Sequence, residues 1–238
     1  MTSSFYGLSM DAVEKLISCE YAQQHFEGKD EILTAEWLKN CNLPVKSVHF
    51  PPGVIHRHGN VHGSQQRIAF NIISERLRPF AIESAHPAHR EDRKVILVGI
   101  MMNAFQKDRD RYLRDAFRTS VANFKRRSPD APFELVHFFF FGRAKGADFS
   151  AENATHGDVV VGDFAENMND GKTFQMLNYT SRRRGDFVVK MDDDTTVRWS
   201  RLELLAGLHP PVYFGQFHQN IRWGLNGRLL GCCRSSSH

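Results

Sequence analysis

Apolar residues along this chain follow two regimes. From residue 94 onward they come in short continuous runs, at 95–100, 133–141, 159–161 and 187–191, rich in valine, isoleucine and phenylalanine. Such runs, without polar alternation and too short for helices, predict strands buried on both faces of a parallel sheet. The stretches between them have a different period. Over 109–125, Tyr112, Leu113, Ala116, Phe117, Val121 and Phe124 recur at helical spacing, an acidic helical stretch precedes residue 158, and a further helix is predicted over 172–181. This alternation of strands and helices is that of an α/β fold with a largely parallel sheet. It predicts the 187–191 strand at the centre, flanked by the strands at 95–100 and 135–141.

Ahead of that block, Leu8, Val13, Leu16 and Ile17 predict an amphipathic helix over 8–19, with Ser9 or Asp11 near its start as caps. Ile32, Leu33, Ala35, Trp37 and Leu38 mark a second helix over 29–40. Residues 45–50 alternate and are stopped by Pro51-Pro52-Gly53, which reads as a strand. Residues 63–93 are mixed in polarity, contain Pro79 and Pro87 around a modest helix at 67–77, and read as a connecting segment. The chain thus divides into 1–62, 63–93 and 94–238, with no internal repeat.

Composition narrows the functional classes. With 238 residues, 41% hydrophobic and 24% charged, there is material for one sizeable core or two small ones. The net charge of +4 is scattered, and its two short clusters, Lys125-Arg126-Arg127 and Arg182-Arg183-Arg184, read as solvated faces, so no nucleic-acid module is expected. No run approaches the ~20 apolar residues of a membrane span, and residues 1–10 lack the pattern of a signal peptide. The four cysteines, Cys19, Cys41, Cys232 and Cys233, form neither a metal-type pair nor a dense framework and leave the redox compartment open. Two glycosylation sequons occur, Asn153-Ala154-Thr155 and Asn178-Tyr179-Thr180. His49, His56, His58 and His62 cluster after the second helix, but without nearby cysteine or helical spacing they do not make an autonomous zinc site.

The candidate chemistry sits at Asp192-Asp193-Asp194, directly after the 187–191 run. Three carboxylates emerging from a strand lie at the sheet's carboxyl end, the rim where open α/β sheets bind ligands. Adjacent carboxylates repel unless a cation or N–H donors compensate them, and hard ions such as Mg²⁺ and Mn²⁺ take oxygen ligands. A metal-bridged phosphate is the natural ligand class; a solvated acidic turn is the plainer alternative.

Several motifs in order then carry a family resemblance. They are Arg111-x-x-Arg114-x-x-Phe117, 136–142 (VHFFFFG), Glu152 with His156-Gly157-Asp158-Val159-Val160, Asp163-Phe164, Lys172-Thr173, and 187–194 (FVVKMDDD). Together, across about 95–215, they resemble the donor-binding half of the β-1,3-galactosyltransferase family, glycosyltransferase family 31. Phe117, where the family usually has Trp, and Thr195-Thr196, where it has apolar residues, depart from the pattern. Residues 5–13 and 29–35 are similar to the family's acceptor-side segments, so the acceptor half precedes the donor half, the reverse of the family's order. A circular permutation, a junction of two tandem units and a truncated product each fit that reversal. The tail, which ends in Cys-Cys-Arg-Ser-Ser-Ser-His without a terminating strand or helix, favours truncation or a junction. On that reading residues 5–60 pack away from the donor half or remain loosely ordered.

The resemblance implies a GT-A-like fold, with a mostly parallel central sheet flanked by helices, incomplete or permuted here. It implies a metal-dependent inverting transfer of galactose or N-acetylglucosamine from a UDP-sugar to a glycan hydroxyl, in β-1,3 linkage, in the Golgi lumen. Mn²⁺ or Mg²⁺ would be held by Asp194, with Asp192 and His56. Asp193, pointing to the opposite side from Asp192, would bond ribose or sugar hydroxyls, Arg114 and Lys172 would balance diphosphate charge, and Asp30 or Glu31 would be the general base. As plain helix-start carboxylates, Asp30 and Glu31 also suit the macrodipole. Two other classes stay open. Asp192-x-Asp194-x-Thr196-Val197 matches the nucleophile motif of haloacid-dehalogenase-type phosphatases, although only Glu203 follows as a further acid. A non-catalytic fragment or binding remnant needs no chemistry at all.

Overall fold

The computed structural model describes residues 5–26, 30–44, 46–49, 55–57, 93–167, 171–207, 212–215, 221–223 and 229–231. The helix expected at 67–77, and His58 and His62, lie outside them. Among the described residues, seven strands form one sheet: β1 (Tyr6–Ser9), β2 (Lys46–His49), β4 (Lys94–Met101), β5 (Phe133–Arg143), β6 (Val159–Ala165), β7 (Phe187–Asp192) and β9 (Val212–Gly215). Their order is β2-β9-β1-β7-β4-β5-β6. The pairs β2–β9, β7–β4, β4–β5 and β5–β6 are parallel, and β1 is antiparallel to both its neighbours. Two short strands, β3 (Ile55–Arg57) and β8 (Thr195–Val197), pair antiparallel beside the sheet. The tail also contains strand structure, β10 (Ile221–Trp223) against β11 (Leu229–Gly231), where none was expected.

Alternation along the strands sends side chains into two cores. One face buries Ile96, Val98, Ile100, Leu135, Phe139, Phe141, Val189 and Met191 under helix α4 (Arg111–Arg127) and the turn containing Trp199. The other buries Leu97, Met101, Phe138, Phe140 and Val188 under α1 (Met10–Ile17), α3 (Asp30–Asn40) and α6 (Lys172–Ser181). Between α1 and α3 lies the short α2 (Glu20–Gln24), and between β5 and β6 lies α5 (Ser150–His156). Double coverage explains why the strands read as unbroken apolar runs.

Two expectations about individual elements are corrected. The central strand β7 has β4 as one neighbour, as expected, but its other neighbour is β1; β5 lies beyond β4. The helix predicted over 8–19 begins at Met10, because Tyr6 to Ser9 are taken into the sheet opposite Lys190 to Phe187. Ser9 occupies the N-cap position without capping; its Oγ instead accepts a hydrogen bond from the Val212 amide at 3.0 Å.

The packing of the N-terminal segment is the larger correction. Residues 6–9 do not pack away from the donor half but fill a slot between β7 and β9. Gly7 lies there opposite Val189 and Phe214, and a Cβ on it would run into the Phe214 ring and stand 2.6 Å from the Val188 carbonyl oxygen. Only glycine leaves room here for both the Phe214 ring and the Val188 carbonyl. Behind β1, a Cys19–Cys41 disulfide ties the segment after α1 to the end of α3.

Candidate functional site

Register places the Asp triplet. Asp192 is the last residue of β7 and sits level with Met101, the last of β4. Asp193 and Asp194 form the tight turn into β8. The triplet is therefore at the carboxyl edge of the parallel strands, the expected rim of an α/β sheet.

The three carboxylates have different surroundings. Lys190 and Asp192, two residues apart, share the face toward Tyr6: Lys190 Nζ donates to Asp192 Oδ1 at 2.7 Å and lies 5.9 Å from the Tyr6 ring centre. Lys190 is buried, so this ammonium compensates Asp192 from inside the sheet. Asp193 lines a small cleft with Met191, Ile100, Leu113, Phe117 and Phe139, which Asp192 also borders. Burial, together with the charges of Asp110, Asp194 and Asp192, pushes the Asp193 carboxyl up to about 6. Asp194 accepts a long hydrogen bond from the Thr195 hydroxyl at 3.4 Å.

No motif in the sequence singles out Asp110, just before α4. It is buried; its Oδ1 accepts from Arg109 Nε at 3.0 Å, and its Oδ2 has no hydrogen-bond partner among the described residues. Its position at a helix start gave a local signal only for capping, yet its side chain caps nothing.

The predicted cations are engaged within the protein. Arg114 is buried and bidentate to Glu152, Nε to Oε1 at 2.8 Å and Nη2 to Oε2 at 2.7 Å. Arg118 joins the cluster, bonding both Glu152 and Asp158 at 2.7 Å. Arg114 holds the Glu152 carboxyl down at about 2, with Arg118 assisting against the cost of burial. Burial opposes ionisation of Asp158, but Arg118 and His137 outweigh it and hold its carboxyl well below the usual range. Lys172 is fully buried, pairs with Glu166 Oε1 at 2.5 Å and donates to the Met102 carbonyl. Glu166 Oε2 accepts in turn from the amides of Gly142 at 2.8 Å and Ala104 at 3.2 Å. Lys172 and Glu166 thus tie the carboxyl ends of β4 and β5 to the start of α6.

From the N-terminal segment, His56 enters through backbone pairing: it lies opposite Thr196, two residues past Asp194. Asp30 and Glu31 open α3. One turn on, Thr34 Oγ1 shares a buried 2.8 Å hydrogen bond with the Tyr6 hydroxyl, and Tyr6 lies in register with Lys190. A line of contacts therefore runs from the first turns of α3 through Tyr6 and Lys190 to Asp192. Among the described residues, no three Asp, Glu, His or Cys groups are gathered closely enough to hold a metal ion. The donor chemistry of the turn, carboxylate oxygens, nevertheless fits a hard divalent cation. No helix among the described residues is long and apolar enough to cross a membrane.

No curated protein and no solved structure matches the chain. The family model described as Galactosyltransferase matches residues 112–209, from α4 through β7 and the Asp turn, and supports the resemblance over that segment; the α/β fold is consistent with a GT-A-like glycosyltransferase.

Proposed function

We propose that the chain is a metal-dependent inverting glycosyltransferase that moves galactose or N-acetylglucosamine from a UDP-sugar to a glycan hydroxyl in β-1,3 linkage, in the Golgi lumen. The observation that carries this reading is the joining of the two halves at one edge. The Asp turn follows the central strand, β3 brings the backbone of His56 opposite Thr196, and β1 links the start of α3 to Asp192.

In this reading Asp194 and His56 would hold Mn²⁺ or Mg²⁺, with Asp192, already bridged to Lys190, contacting it directly or through water. The cation supplies Lewis acidity to the leaving diphosphate. Asp193 would accept hydrogen bonds from ribose or sugar hydroxyls, and Glu31 or Asp30 would take the proton from the acceptor hydroxyl. Arg114 and Lys172 shape the rim rather than meet the diphosphate, since Glu152 and Glu166 already engage them. The alternative is a non-catalytic remnant with the family's fold. The phosphatase reading has no support, because the matched family is a transferase and Asp192, its would-be nucleophile, is ion-paired to Lys190. Acceptor-dependent release of UDP by the purified chain, lost in His56→Ala and in Glu31→Ala, is the expected result. A folded chain that binds UDP but releases none in any acceptor mixture would favour the remnant.

A further inference from the structure

We propose that Asn153 carries an N-linked glycan in the folded protein and that Asn178, in the other sequon, does not. This inference rests on neither the metal nor the sugar-transfer reading. Its starting point is the Cys19–Cys41 disulfide, since disulfides persist in oxidising compartments, where N-glycosylation also takes place.

The two sequons have opposite surroundings. Asn153, Ala154 and Thr155 are all exposed, in the last turn of α5, which is closed by Gly157 in the left-handed conformation at φ 67°. Asn153 Oδ1 accepts a hydrogen bond from the Val159 amide at 3.1 Å. Because that partner is a donor, the carbonyl side of the amide must face it, which directs Nδ2 outward. A glycan attaches through Nδ2 and leaves the carbonyl intact, so the bond that starts β6 survives the modification. In the transfer, the Nδ2–C1 bond forms as the C1–O bond to the diphosphate of a lipid-linked oligosaccharide breaks. The diphosphate leaves as an anion, and the amide nitrogen gives up one proton to the transferring enzyme.

Asn178 is half-buried within α6. Its sequon partner Thr180 is completely buried, with its hydroxyl bonded to the Leu177 carbonyl at 2.8 Å. Between them, Tyr179 packs on Phe138 and Phe140. Transfer occurs on the nascent chain, so the folded state selects which modified chains survive: a glycan at 178 would have to emerge through this packing, whereas one at 153 would not. Val159, whose amide holds Asn153, pairs with Phe139, Phe139 with Ile100, and Ile100 with Met191; three strand spacings of ~4.8 Å put Val159 roughly 14 Å laterally from the strand that carries the Asp turn.

The test is secretion of the full chain from eukaryotic cells behind an appended signal, followed by an N-glycan amidase, which converts the glycosylated Asn to Asp. The expected result is one amidase-sensitive mobility shift, with the conversion mapped by mass spectrometry to residue 153. Asn153→Asp, which keeps an acceptor for the Val159 amide, and Thr155→Ala, which leaves Asn153 in place, should each abolish the shift; Asn178→Gln should keep it. An unshifted secreted wild type, a shift that persists in both sequon-153 variants, or conversion mapped to residue 178 would overturn the proposal.

Discussion

Lys190 Nζ stands 2.7 Å from Asp192 Oδ1, so the first carboxylate of the acidic triplet is compensated from within the central strand that bears it. Asp193 and Asp194 follow it as the residues of the turn into β8. Lys190 is almost fully buried and Asp192 is partly exposed, so the pair lies between the buried and surface regimes. Lys190→Met should cost about 1–3 kcal/mol in urea unfolding, because it removes the buried ammonium that compensates Asp192 beside its acidic neighbours. Asp192→Asn in the Lys190→Met background should recover part of that loss. Additive effects of the two substitutions would show that the pair is not coupled.

Gly7→Val tests whether the N-terminal strand is built into the sheet. The Val188 carbonyl and the Phe214 ring leave no room for a side chain at this position. The substitution should therefore destabilise the whole domain by about 2–4 kcal/mol. A junction piece that packs elsewhere would tolerate it, so an unchanged urea midpoint would contradict the insertion of β1.

Acid should weaken the fold through the cluster on α4 and α5. The folded Glu152 carboxyl lies at about 2, against 4.5 for the free side chain, and Asp158 is also depressed. A carboxyl depressed by folding adds stability that is complete above its unfolded value and is lost as pH falls toward its folded one. Stability should thus decline from about pH 4.5 toward pH 2, and Glu152→Gln should lower stability at neutral pH while flattening that decline. Parallel pH profiles for the wild type and the variant would show that Glu152 is not a source of the acid sensitivity.

Much of the fold was legible because the strands at 94–101, 133–143 and 187–192 are covered on both faces, and that coverage writes itself as continuous apolar sequence. β1 was not legible. Tyr6 to Ser9 are only four residues, they run straight into α1, and their strand character comes from partners about 180 and 205 residues away in sequence. The Asp triplet was found by its place after an apolar run. Its partner Lys190 lay inside that run, where the two-residue strand period was the one available signal. Arg114 and Lys172 were recognisable as charged positions, but the identities of Glu152 and Glu166 as their partners depend on how α5 and β6 return to the sheet. Only the family resemblance marks Asp30, Glu31 and His56, since nothing local separates a helix-start acid or a strand histidine from a site residue.

The Cys19–Cys41 disulfide closes a 22-residue separation that encloses α2 and α3. Its loss in Cys41→Ser should cost about 2–4 kcal/mol, with the α3 layer around Trp37 the first to open in hydrogen exchange. Equal stability of oxidised and reduced protein would show that the helical layer holds itself.

The central claim is that the turn after β7 binds a nucleoside diphosphate through a divalent cation. Calorimetry of the folded, full chain with UDP, in the presence and absence of Mn²⁺, tests it most directly. The account predicts saturable binding that requires Mn²⁺ and disappears in Asp194→Ala; no binding by the folded wild type, or undiminished binding by Asp194→Ala, would contradict it.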